Sequence, residues 1–219
     1  MKPTDIAQPD YFHKVVDCQW ACPAHTPVPE YIRLIAQGRY DDAYLVNWKS
    51  NVFPGILGRT CDRPCEPACR RVRVEEGSPE HRKAHAKPEA VAICRLKRAA
   101  ADFKGDIRPH LPKPAAKGNG KRVALVGAGP ASLTVARDLA PHGYHCVVFD
   151  GDPKAGGMMR TQIPKFRLPD RVIDEECGYV LDLGVEFRAG TRVDSMAALL
   201  AEGYDAVFVG SGAPRGRDL

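Results

Sequence analysis

Residues Lys121–Asp150 read KRVALVGAGPASLTVARDLAPHGYHCVVFD. Val123, Leu125 and Val126 make the short apolar run of a buried parallel strand, and Leu133–Ala140 carries helical periodicity. Tyr144–Asp150 reads as the next strand and ends on an acid 23 positions after Gly127. The turn Gly127-Ala128-Gly129-Pro130-Ala131-Ser132 lies between the first strand and the helix. This is the βαβ unit whose helix N-terminus receives a pyrophosphate. Gly127 allows the tight turn, and Gly129 lets the backbone approach phosphate oxygens. Ser132 stands where the fingerprint has its third glycine, so slightly looser packing of helix on strand is expected there. Asp150 is placed to accept hydrogen bonds from ribose hydroxyls. A plain strand-end turn is the alternative role for it.

After Asp150 comes GDPKAGGMMR. An acid followed by the pair Gly156-Gly157 looks like the second phosphate loop of FAD proteins, and a long pyrophosphate benefits from the added backbone N–H groups. Near the end, YDAVFVGSGAPRGRDL contains another strand, Ala206–Val209, running into Gly210-Ser211-Gly212. It is expected in the same sheet, although an ordinary strand end reads equally well.

The chain has 219 residues and eight cysteines. Residues 1–120 carry a formal net charge of +6 and residues 121–219 one of −1. Cys18, Cys22, Cys61, Cys65, Cys69 and Cys94 all lie in the first part. The Pro- and Gly-rich stretch Asp102–Gly120 reads as a linker, so domains are expected over 1–115 and 116–219. The fold class expected is α + α/β: a helical domain followed by a Rossmann-like parallel sheet. The basic residues interleave with cysteines and not with stacking aromatics, which argues against nucleic acid. No stretch approaches the roughly 20 apolar residues of a membrane span, and MKPTDIAQPDYFHK lacks a signal-peptide core. A cytoplasmic location is expected. Disulfides are rare there, so the cysteines point to metal or redox chemistry.

Pro29 and the following EYIRLIAQGRYDDAYLV predict two short helices. In the first, Ile32, Ile35 and Ala36 share a face and Gly38 closes the helix; in the second, Ala43 and Val46 start a stripe. A further helix is predicted over Pro88–Phe103, with Val91, Cys94 and Arg98 in line. Cys18 and Cys22 form C-x3-C-P, and Cys61, Cys65 and Cys69 form C-x3-C-x3-C in a loop kept compact by Gly58, Pro64 and Pro67. Thiolates converging this way hold zinc or an iron–sulfur cluster. The absence of a C-x2-C knuckle, and of a histidine at ligand spacing, favours iron–sulfur. His25 reads as a loop residue.

Four segments then carry a resemblance: CQWACPAHTPVPEYI, GRTCDRPCEPACRR, VALVGAGPASLTVARDLA and GGMMRTQIPKFRLP. In this order they resemble the family of the glutamate synthase small subunit and the N-terminal part of dihydropyrimidine dehydrogenase. That family joins a helical [4Fe-4S] domain to an FAD domain, into which an NAD(P)H domain is inserted. The resemblance implies that Gly127, Gly129, Pro130, Ala131 and Ser132 hold the FAD pyrophosphate and Asp150 its ribose. It implies that Gly157 and Met158 lie near the flavin side, that Arg167 touches FAD, and that Val193 lies against the adenine. Cys22, Cys61 and Cys65 match ligands of one cluster, and Cys18 and Cys69 match ligands of the other.

Two departures shape the expectation. Family members with two clusters carry a further cysteine pair upstream, where this chain has PDYFHKVV. One cluster is therefore expected, or a second one completed by another chain. In dihydropyrimidine dehydrogenase a glutamine from the late helix is a ligand, and Cys94 is the candidate substitute here. Cys146 and Cys177 read as core or surface thiols. The closing PRGRDL looks like the crossover into the NAD(P)H domain, so NAD(P)H is expected only through a missing domain or a partner. The function implied is an oxidoreductase subunit passing electrons between FAD and a [4Fe-4S] cluster, then to another subunit or acceptor protein. No catalytic acid, base or nucleophile is named. The alternatives are an assembly module with a structural cluster, and a zinc-stabilised NAD-binding domain.

Overall fold

The computed structural model describes residues 16–73 and 89–213. Pro88, the PDYFHKVV stretch before Val16, and PRGRDL lie outside the described residues. The chain divides into two compact units, the first ending at Ile107 and the second starting at Arg108. No described helix is long and apolar enough to cross a membrane.

The first unit is helical: α1 (Asp17–Ala21), α2 (Val28–Ala36), α3 (Tyr40–Ser50), α4 (Pro54–Thr60), α5 (Arg70–Arg73) and α6 (Ile93–Phe103). Pro29 sits in the first turn of α2, where its missing N–H costs no helical bond. Gly38 takes a φ of +73° and ends the turn after α2. The buried face of α2 is Val28, Tyr31 and Leu34; Ile32 and Ile35 flank it and Ala36 is exposed. The expected face is thus rotated toward Tyr31, whose hydroxyl donates to the Ile93 carbonyl across the core at 3.1 Å.

Helix α6 starts at Ile93, later than the sequence predicts. Its Cys94 N–H turns to the Glu66 carboxylate at 3.0 Å, so a residue from the cysteine loop serves this end of the helix. Its buried stripe is Ile93, Cys94, Lys97, Ala100 and Ala101, while Arg98 faces outward. Helix α4 was not foreseen, because PGILGRT has the composition of a loop. Burial of Pro54, Gly55 and Ile56 stabilises it, and Arg59 donates back to the Gly55 carbonyl. Trp48 lies in the core, and Trp20 is 63% exposed, its ring 5.2 Å from that of His25.

The second unit holds β1 (Arg122–Val126), α7 (Pro130–Leu139), β2 (His145–Phe149), α8 (Met158–Thr161), α9 (Asp170–Leu181), β3 (Glu186–Arg188), α10 (Met196–Ala201) and β4 (Ala206–Val209). All described pairings are parallel, in the order β3-β2-β1-β4. The register aligns Val123 with Cys146 and Ala206. The strand read near the end of the chain therefore joins the sheet beside β1. Side chains alternate between faces along each strand. Ala124, Val147 and Phe149 pack with Leu199 and Tyr204 on one of them.

In the first unit the Arg59 guanidinium is buried and bonded to Asp102, which also takes Arg98 at 3.0 Å. Burial pushes the Asp102 carboxyl up, but hydrogen bonds and charge from the two arginines hold it below its ordinary value. A depressed folded pKa contributes stability above the unfolded value, lost as pH falls through the folded one. Asp102→Asn is expected to lower stability in urea at pH 7 by about 1–3 kcal/mol, discounted for its partial exposure. The gap to wild type is expected to close below pH 3.8, as the wild-type carboxyl takes up its proton.

Candidate cofactor sites

All eight cysteines are free. Charge on neighbouring thiols links several of the cysteines. Cys65 feels Cys22 and Cys61, and Cys94 feels Cys61. Cys18 feels Cys69.

The set of Cys22, Cys61, Cys65 and Cys94 is built from three segments. Cys22 follows α1, Cys61 ends α4, Cys65 lies in the loop, and Cys94 stands in the first turn of α6. Gly58 makes this possible. A Cβ on it would lie 2.8 Å from the Arg98 Cα, so α4 and α6 touch backbone to backbone. The Cys94 thiol faces the Leu57 carbonyl at 3.4 Å, at the same contact. His25 and Arg63 are the non-glycine residues with positive φ among those described, and both lie in cysteine loops. Such conformations cost roughly 1–3 kcal/mol each and persist where surrounding structure enforces them. Arg63 thereby aims its N–H at the Cys61 sulfur, 3.3 Å away. Thr26 stands 3.3 Å from the Cys22 sulfur, either one able to donate to the other, and accepts from Asn51.

Burial pushes Cys65 up to about 12 and also raises Cys94, with Lys97 opposing in both cases. At Cys22 burial is outweighed by hydrogen bonds from Thr26 and Ala24 and by the Lys97 charge, so its thiol falls below the ordinary value. Among the described residues no three His, Cys, Asp or Glu side chains close around a single metal ion. Free thiols brought from three segments, with the Arg63 N–H aimed at one sulfur and the Thr26 hydroxyl beside another, are a donor set that fits a thiolate-ligated cluster.

Cys18 and Cys69 line a separate cavity of about 310 Å³ with Val16, Asp17, Arg70 and Arg71. Arg70 is tied to Asp17 at 3.1 Å. Cys146 and Cys177 are core thiols, raised by burial to about 11 and about 12.

The second site is the C-terminal edge of the sheet, where three glycine turns meet. The Gly127 N–H donates to the Phe149 carbonyl at 2.7 Å, and the Ala128 N–H to an Asp150 carboxylate oxygen at 2.5 Å. The other Asp150 oxygen accepts from the Asp152 N–H at 2.8 Å. Each oxygen keeps a second lone pair, so Asp150 closes the turn and still has room to accept a hydroxyl. Gly129 caps α7, and the first-turn amides beyond it are those that helical carbonyls do not serve. The Gly156 N–H bonds the Ala128 carbonyl at 2.8 Å, and a Cβ on Gly157 would lie 2.9 Å from the Gly129 Cα. The two loops read in the sequence thus form one cradle.

Pro130 and Ala131 start α7 at that cradle, and Met158 opens α8 half-exposed beside Gly157. Ser132 is fully buried, and Gly210 opposite it has no side chain: a Cβ there would meet the Ser132 Oγ at 2.3 Å. The serine in the third-glycine position is matched by a glycine on the neighbouring strand end. Val193 is half-buried against the Phe149 and Tyr204 cluster. Arg167 is exposed on the turn before α9.

Three participants were missed. Arg160 bonds the Ala155 carbonyl, Asp170 and Asp174, anchoring the Gly156-Gly157 turn to α9. Gly210 admits Ser132. Lys97 is buried on the face of α6 that carries Cys94, and a lysine at the fourth place after Ile93 on an apolar stripe was the signal available for it.

Residues 11–107 match the family described as dihydropyrimidine dehydrogenase domain II, 4Fe-4S cluster, and residues 125–202 match the NAD(P)-binding Rossmann-like domain. The chain is 33% identical over 228 residues to the NADPH-Fe(3+) oxidoreductase subunit beta of Geobacter sulfurreducens, covering 99% of this chain and 32% of that one. It is 36% identical to the NADP(+)-dependent formate dehydrogenase subunit beta of Moorella thermoacetica (89% and 29%). It is 35% identical to the glutamate synthase [NADPH] small chain of Escherichia coli (89% and 39%). The chain spans about a third of the length of these relatives. Its first part is thus similar to a 4Fe-4S domain of the dihydropyrimidine dehydrogenase type and its second part to a Rossmann-like NAD(P)-binding domain, in the order in which the helical unit and the parallel sheet follow each other.

Gly127 has a φ of +95°, and a Cβ on it would lie 2.6 Å from the Gly210 carbonyl oxygen. Gly127→Ala and Gly157→Ala are each expected to lower thermal stability by about 1–3 kcal/mol, from overpacking against backbone. Gly151→Ala, which meets open space, is expected to stay within about 0.5 kcal/mol of wild type in the same melts.

Proposed function

We propose that the chain is the FAD- and [4Fe-4S]-binding part of an NAD(P)H-linked oxidoreductase, exchanging electrons with another subunit or an acceptor protein. When bound, FAD supplies the exchange between two-electron and one-electron chemistry, and the cluster supplies one-electron transfer. One observation carries this reading. The same chain has a group of cysteines with donors aimed at the sulfurs and a glycine cradle made from two loops, where a single NAD-type turn needs one.

In this reading Cys22, Cys61, Cys65 and Cys94 hold the cluster. The N–H of Arg63 and the hydroxyl of Thr26 steady the charge on two of the sulfurs. Cys18 and Cys69 form a separate pair, able to serve a second site only with ligands from elsewhere. Gly129, Ala131 and Gly157 present amides to the pyrophosphate, while Gly127, Gly156 and Ser132 hold the shape of the cradle. Asp150 accepts from the ribose. Met158 lies toward the flavin, Arg167 at the rim and Val193 toward the adenine. NAD(P)H binds through a further domain or a partner. The linker following Ile107 joins the two cofactor domains, and the setting is the cytoplasm, where thiols stay reduced.

Anaerobic reconstitution of the chain with iron, sulfide and FAD tests this. About four irons, matching acid-labile sulfide, and flavin absorbance are expected. Cys65→Ser and Cys94→Ser are expected to lose the iron and keep the flavin, Gly157→Ala to do the reverse, and Cys146→Ser to keep both. Zinc without sulfide, or a chain that retains neither iron nor flavin, would overturn the assignment.

A further inference from the structure

Lysine is rarely buried without a compensating charge. Lys97 is only 5% exposed. It follows Cys94 by three residues and Ile93 by four, in the centre of the buried stripe of α6. The backbone contact between Gly58 and Arg98 presses this turn of α6 against α4, just before Cys61. Lys97 therefore stands one turn from Cys94 on the same buried face of α6, at the contact with α4 that precedes Cys61, and its charge favours the thiolate forms of Cys22, Cys65 and Cys94. Two other charged groups act on the same thiols. Arg63 favours the Cys94 thiolate, while Glu66 opposes those of Cys65 and Cys94. Arg63 and Glu66 are paired at 3.9 Å, and the Arg63 side chain is 42% exposed, so solvent screens it. Arg59, two residues before Cys61, is buried too, but its guanidinium is bonded to Asp102; Lys97 is the buried cation on the face of α6 that carries Cys94.

Resting on the cluster reading above, we propose that Lys97 is the fixed counter-charge of the cluster site and raises the reduction potential of the cluster held there. With four thiolates, one-electron reduction takes a core of charge 2+ to 1+ and the whole site from −2 to −3. A cation in a low-dielectric interior stabilises the more negative state more strongly. The electron comes from dithionite in the test and from the flavin in the proposed function. Lys97 touches no reacting atom in this scheme and acts as a positioning residue through its charge.

The test uses the full chain, reconstituted anaerobically with iron and sulfide, and compares wild type with Lys97→Met, Lys97→Gln and Lys97→Arg. Iron and sulfide are assayed, and the midpoint is read by EPR during a dithionite titration. Lys97→Met with full iron is expected to show about a tenfold lower ratio of reduced to oxidised cluster at the wild-type midpoint. For one electron that is a shift of about 59 mV to more negative potential. Lys97→Arg is expected to stay near wild type. An unmoved midpoint in an iron-replete Lys97→Met or Lys97→Gln overturns the proposal. Iron loss in both neutral variants, with loading kept in Lys97→Arg, supports the need for charge; iron loss in all three overturns it. A wild type that takes up no iron sinks the cluster reading itself, an outcome distinct from a loaded variant with an unchanged potential.

Discussion

Both halves of this protein rest on backbone meeting backbone at glycine. In the helical half, the missing side chain at Gly58 lets two helices close to contact distance, and only then do Cys61 and Cys94 become neighbours. In the sheet half, Gly127 against Gly210 and Gly157 against Gly129 bring three turns to one edge. Each site is assembled from segments far apart in sequence. Neither would survive the extra width of a methyl group at its seam. The atoms at both candidate sites are ordinary thiols and amides; the contacts between elements decide where those atoms stand.

Charge follows the same plan of assembly from several segments. Free thiols in a buried setting resist ionisation, as Cys65 and Cys94 do here. The groups that oppose that resistance come from elsewhere: Thr26 from the loop after α1, Arg63 from the loop after α4, Lys97 from α6. The carboxylate of Glu66 joins the cysteine loop to the start of α6 and works against them. Such mixed surroundings leave a thiol site dependent on what it binds. At the sheet edge the arrangement is simpler. Asp150 accepts two backbone donors and fixes the turn before any ligand arrives.

Much of this was legible in the sequence, for identifiable reasons. The βαβ unit was readable because strand, glycine turn and helix are contiguous and each has its own periodicity. The two helices around Gly38 were readable because a proline and a glycine mark their ends. The division of the cysteines came from resemblance, since spacing alone does not say which sulfurs meet. Helix α4 was hidden by its proline and glycines, which serve its burial instead of breaking it. The face of α6 was read off by a fraction of a turn, because Arg98 looked equivalent to Lys97 in a string of basic residues. Glycine 210 and Arg160 act across the fold on partners some eighty and ten to fourteen residues away, and no local pattern announces them.

The distribution of indole rings has a practical consequence. The chain has two tryptophans, Trp20 and Trp48, and both belong to the helical unit. One is mostly exposed on α1, between Cys18 and Cys22, and the other is enclosed in the core. Intrinsic fluorescence excited at the red edge of the protein band therefore reports on the helical unit alone. The sheet unit is dark in that channel, so its ligand has to be followed by its own colour. The two halves of the molecule can be watched separately in one cuvette, without a label on either.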